Sequence, residues 1–140
     1  MLTTITDLLT ALVQLLKQKH LVSTDYQQHL LFERLEKGIS DDIDRVKEIA
    51  LACGYSEDIA DAQQSLAKAT DILAEDSDVL SIIQKIIREI DKIIDTLNRN
   101  AGEDIEGTFN QYKAKEAIIN MLGDIAEKRV RDIYLLRFVK

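Results

Sequence analysis

Apolar residues recur every three or four positions along nearly the whole chain, a spacing that predicts helices. From about Thr4 to His20, a broad face of Leu8, Leu9, Leu12, Val13, Leu15 and Leu16 predicts a first helix, with Thr3 or Thr6 able to cap its start. Ser23, Thr24 and Asp25 then form a polar break, in which Ser23 or Thr24 suits an N-cap. A second, long helix is predicted from about Asp25 to Cys53. Its apolar positions are Phe32, Leu35, Ile39, Ile43, Val46, Ala50 and Cys53, and Gly54 suits its C-cap. The alanine-rich stretch from Tyr55 to Asp78 is predicted to carry one or two short helices, with Ile59, Ala62, Leu66, Ala69, Ile72 and Leu73 turned inward. An isoleucine-rich stripe from Val79 through Ile82, Ile83, Ile86, Ile87, Ile90, Ile93 and Ile94 to Leu97 predicts a third long helix over about Asp78–Arg99, ended by Asn100, Ala101 and Gly102. A fourth is predicted from Ile105 or Thr108 to Phe138, with Tyr112, Ala114, Ala117, Ile118, Met121, Leu122, Ile125, Val130, Ile133, Tyr134 and Leu136 on its apolar face.

Four long amphipathic helices with a longer central connection fit a four-helix bundle in one domain spanning residues 1–140. The length of that connection does not decide whether the third helix runs parallel or antiparallel to the second. The absence of proline removes the commonest helix breaker and favours long helices. No apolar run approaches the roughly 20 residues of a membrane span. The first residues lack the basic segment of a secretory leader, and the lone Cys53 excludes an intrachain disulfide. Both features fit a cytoplasmic protein. A net charge of −7 argues against general nucleic-acid binding, which needs clustered Lys and Arg, and suits cationic partners instead.

Candidate chemistry concentrates on the second helix. His29 and Glu33 form one i,i+4 pair, and Asp44 and Glu48 form another. At 100° per residue with Ile43 as zero, the apolar stripe from Phe32 to Ala50 falls between about −80° and −20°. His29, Glu33, Asp44 and Glu48 fall at about 40°, 80°, 100° and 140°, a single arc beside the core. Imidazole and carboxylate on one face are ligand types that iron accepts. Glu33 and Asp44 are separated by about 16 Å of helix rise, so one ion cannot touch both within one chain. The two pairs are symmetric about a midpoint near Gly38. A second copy crossing antiparallel there brings His29 and Glu33 of one chain to Asp44 and Glu48 of the other, at two equivalent sites about 22 Å apart. A glycine at such a crossing permits close backbone approach. A solvated acidic helix face accounts for the same residues without any metal.

The stretch YQQHLLFERLEKGISDDIDRVKEIALACGYS, from Tyr26 to Ser56, resembles the Dps family, the mini-ferritins named for protecting DNA in starved cells. The C-terminal KEAIINMLGDIAEKRVRDIYLLRFV is similar to that family's last helix, with Glu127-Lys128 ahead of Tyr134-Leu135-Leu136. The resemblance implies a ferritin-like all-α fold and a hollow homo-oligomer, a dodecamer. It also implies Fe2+ oxidation at inter-subunit sites and storage of the ferric mineral. It makes His29, Glu33, Asp44 and Glu48 the ferroxidase ligands, with Glu33 where the family usually has Asp. A further family histidine near the end of the first helix corresponds to His20. Here Leu21 and Val22 follow it, and its spacing to His29 is shorter than usual. Acidic residues near the turn before the last helix line iron-entry pores in the family, which points to Glu103, Asp104 and Glu106; a solvated loop is the alternative. The sequence starts almost at the first helix, so no tail-mediated DNA binding is expected. Two other classes remain open besides a cage that oxidises iron only weakly. One is a non-catalytic helical module that binds a basic partner. The other is a carboxylate di-iron enzyme, which Glu-x-x-His motifs would announce; Lys17 and Tyr26 stand where those glutamates would be.

Overall fold

A computed structural model describes residues 2–53, 62–99 and 109–138. They form five helices: α1 (Leu2–Val22), α2 (Tyr26–Ala52), α3 (Ala62–Glu75), α4 (Val79–Arg99) and α5 (Phe109–Leu136). The described residues contain no strand, so the chain is all-α. α1 packs against α2, α3 and α4, while α5 packs against α4 and α2. One apolar core joins α1, α2, α4 and α5. Its centre holds Leu9, Leu12, Ile39, Ile82, Ile86, Ile90, Ile118, Leu122 and Ile125, all fully buried. Truncating one of these, as in Ile86→Ala, costs about 2–5 kcal/mol through lost transfer energy and the cavity left behind. Among the described residues no helix is long and apolar enough to cross a membrane.

The helix ends differ from expectation for local reasons. Thr3 and Thr6 lie inside α1, and the Thr6 hydroxyl donates to Thr3 O at 2.8 Å rather than accepting at a helix start. Asp25 caps α2 in place of Ser23 or Thr24, its Oδ1 accepting from Gln27 N at 2.9 Å. Asp78 Oδ2 accepts from Ser81 N at 3.0 Å and starts α4. Asp76 braces the same corner, accepting from Asp78 N and pairing with Lys85 Nζ at 3.0 Å. The Ser81 hydroxyl is the largest influence holding the Asp76 carboxyl down at about 2, followed by the Asp78 N–H and Lys85. The central connection contains α3, on whose inner face Ala69 is buried while Leu66 is exposed.

The interface between α2 and α5 contains buried charge. Arg129 is buried between Asp42 and Asp132, with ion-pair distances of 2.9 Å and 2.8 Å. Neither contact is a well-aligned hydrogen bond. Lys128 Nζ reaches Asp42 at 3.2 Å, and Arg45 pairs with Asp124. Burial pushes the Asp132 carboxyl up, against the pull of Arg129. Val130 and Tyr134, expected on the apolar face of the last helix, are exposed. Gly38 faces this same α2–α5 side, lining a groove with Arg34, Lys128, Arg129 and Arg131, and a Cβ added to it meets nothing within 4 Å.

Candidate metal centre

The short α1–α2 turn determines which side chains can meet. Residues 23–25 separate the two helices, so the end of α1 folds back beside the start of α2. His20, in the last turn of α1, therefore stands beside the face of α2 that carries His29, Glu33 and Glu36. The rings of His20 and His29 lie edge to face, with centroids 4.1 Å apart. Their Nε2 atoms are 3.1 Å apart.

Each Nδ1 has its own partner. His29 Nδ1 donates to the backbone oxygen of His20 at 3.1 Å. His20 Nδ1 donates to Glu36 Oε2 at 3.3 Å. These partners assign the hydrogen of His29 to Nδ1 and leave its Nε2 lone pair facing His20.

Glu33 completes the group. One ligand atom each from His20, His29 and Glu33 lie within 4.8 Å of one another. Two imidazoles bound cis to one ion, with metal–nitrogen distances of about 2.1 Å and an angle between 90° and tetrahedral, have their nitrogens about 3.0–3.4 Å apart. The observed 3.1 Å falls in that interval. Both histidines are half-buried and Glu33 is exposed, so an ion at this point is open to solvent or to a partner on the Glu33 side. Two imidazoles and a carboxylate with free coordination positions form a donor set associated with non-haem Fe2+. The outer partners, a carbonyl and a carboxylate, are of the kind that orient ligating histidines.

Asp44 and Glu48 are exposed on α2 and lie outside this group. Glu33 and Asp44 are about 16 Å apart along the helix, so a single chain does not join the two pairs. Glu103, Asp104 and Glu106 lie outside the described residues. Glu36 was not singled out by sequence, although it stands seven residues after His29 on the same face. Leu21, Val22, Tyr26, Leu30 and Leu51 are exposed apolar side chains; by helical spacing Tyr26 and Leu51 fall at about 100° and about 80°, within the arc of the candidate ligands on α2. No family model matches the chain, and no curated protein or solved structure matches it.

Proposed function

We propose that the protein is a ferritin-like, four-helix iron protein of the mini-ferritin kind, which oxidises Fe2+ at sites shared between two copies and stores the ferric product in a hollow homo-oligomer. The observation that carries the reading is the paired histidines, whose Nε2 atoms face each other at 3.1 Å beside Glu33 while their Nδ1 atoms are held from behind. The arrangement supplies one half of a site, and Fe2+ is its substrate. The carboxylates of Asp44 and Glu48 supply the other half from a second copy. Hard oxygen ligands favour Fe3+ over Fe2+ and so promote electron loss to peroxide or dioxygen.

The exposed α2 face supports a second copy in this register. In an antiparallel crossing that pairs His29 with Glu48 and Glu33 with Asp44, Tyr26 meets Leu51. Both are exposed, large and apolar, and both lie on the site's face of the helix. Their contact covers the outer flank of the site and removes apolar surface from water. The residues at the centre of the crossing are Lys37 and Ser40. Gly38 shares their level and lines the α5 groove, so in this register Lys37 and Ser40 make the central contact beside it.

Fe2+ oxidation followed by near-ultraviolet absorbance, with peroxide and then air, tests the proposal on wild type, His29→Ala, Asp44→Ala and the double variant, with native mass recorded for each. A dodecameric shell that oxidises iron, and that keeps its mass but loses the rate in all three variants, supports it. A small oligomer with no oxidation above buffer overturns it. The second reading, a mononuclear centre completed within one chain, is favoured by the three ligands sharing a single chain. It requires that Asp44→Ala keep the metal binding and rate that His29→Ala loses.

A further inference from the structure

At the end of the helices where α1 and α5 finish and α4 begins, a cavity of about 510 Å³ opens to the surface. Phe32, Val79, Ile133 and Leu136 give it an apolar interior, and the exposed Leu80 lines its mouth. Cavities of this size, apolar with a few polar groups, are typical of small-molecule sites. The polar lining residues are Lys19, Asp78, Gln84 and Arg137. Asp78 is already engaged, accepting the Ser81 N–H as the cap of α4. Lys19 and Arg137 have no ion pair among the described residues. The positive pole of α4 opens at the same place. In a chain of net charge −7, two cations with no ion pair among the described residues, beside an apolar hollow, form a local exception.

We infer that this cavity binds a small amphipathic carboxylate, such as a medium-chain fatty acid, with its alkyl chain among Phe32, Val79, Ile133 and Leu136 and its carboxylate between Lys19 and Arg137. The charge pattern selects this ligand class. An uncharged apolar ligand leaves both cations without a partner, and an alkylammonium meets two cations against the single carboxylate of Asp78. Arginine and lysine contribute differently, since the Arg137 fork can hold both carboxylate oxygens while Lys19 supplies a point charge. The site is independent of the iron reading, since neither Lys19 nor Arg137 belongs to the metal group.

Calorimetric titration of the full chain, stripped of metal, with hexanoate, octanoate and decanoate tests the inference, with octanol and octylamine as controls. Octanoate is expected to bind at one site per chain, at least tenfold more tightly than octanol and more tightly still than octylamine. Lys19→Gln/Arg137→Gln is expected to remove the preference for octanoate over octanol while leaving octanol binding unchanged. Leu80→Trp, which fills the mouth, is expected to weaken all three ligands. Circular dichroism confirms that each variant folds. Equal affinity for octanoate and octanol overturns the carboxylate assignment. Absence of binding overturns the site, as does octanoate binding that survives both Leu80→Trp and the double charge variant.

Discussion

Glu36 offers a quantitative test of how the histidine pair is held. Its carboxylate accepts from His20 Nδ1 at 3.3 Å, with both side chains about four-fifths buried (18 % and 21 % exposed). Replacing it by alanine removes the charge that orients the ring and strengthens Nε2 as a ligand. Losing such an outer partner typically weakens metal binding by about 10- to 100-fold, or about 1.4 to 2.8 kcal/mol. The 3.3 Å separation is long for an N–H···O bond, which places the expected loss near tenfold. Alanine is a strong helix former, so α2 is expected to survive the change. Glu36→Gln keeps an acceptor but not the charge and is expected to fall between wild type and Glu36→Ala. Anaerobic Co2+ titration, followed by the visible bands of the bound ion, gives affinity and ligand geometry together. An unchanged affinity refutes the orienting role. A loss of several thousandfold with altered bands makes Glu36 a ligand itself.

Other predictions concern stability and acidity. Arg129→Met leaves Asp132 buried without its paired cation and Asp42 with Lys128 alone, which costs about 3–5 kcal/mol, or about 10–17 °C in Tm for a chain of this length. The triple variant Asp42→Leu/Arg129→Met/Asp132→Leu is expected to recover most of that loss in thermal melts, and equal instability of the two variants contradicts the charge argument. Asp76 has a folded pKa depressed to about 2, below the unfolded value of about 3.9, so its contribution is present above the unfolded value and disappears as pH falls from about 4 to about 2. Asp76→Asn should therefore lower Tm at neutral pH, with the difference from wild type closing across that acid window. Gly38→Ala, with open space for the new Cβ, is expected to raise stability by about 0.5–1 kcal/mol and to leave native mass unchanged. A broken oligomer would show that a backbone approaches Gly38 after all.

The helices are readable from sequence because each buries a regular apolar face, as the run Ile82, Ile83, Ile86, Ile90 and Ile93 in α4 does. Caps are less readable, since several Ser, Thr and Asp residues crowd each candidate end and only the backbone decides which one accepts a bond. Asp25 prevails over its two neighbours, and Thr6 bonds back into its own helix. The buried Asp42–Arg129–Asp132 group escapes a reading that assigns charged residues to a solvated face. Its signal is positional: Arg129 and Asp132 continue the three-and-four spacing of Ile118, Leu122 and Ile125. At the site, spacing identifies His29 and Glu33, which belong to one helix. The approach of His20 to Glu36 depends on how closely the α1–α2 turn folds the chain back, and spacing within one helix carries no information about that. Asp44 and Glu48 are selected by symmetry between chains, which a single chain does not express.

The iron reading stands or falls on whether His20, His29 and Glu33 hold a divalent cation, which anaerobic Fe2+ titration by calorimetry measures. Wild type is compared with His20→Ala, His29→Ala and Glu33→Gln. Saturable binding is expected, weakened at least tenfold by each substitution. Binding that is absent in wild type, or that all three variants retain, refutes the site.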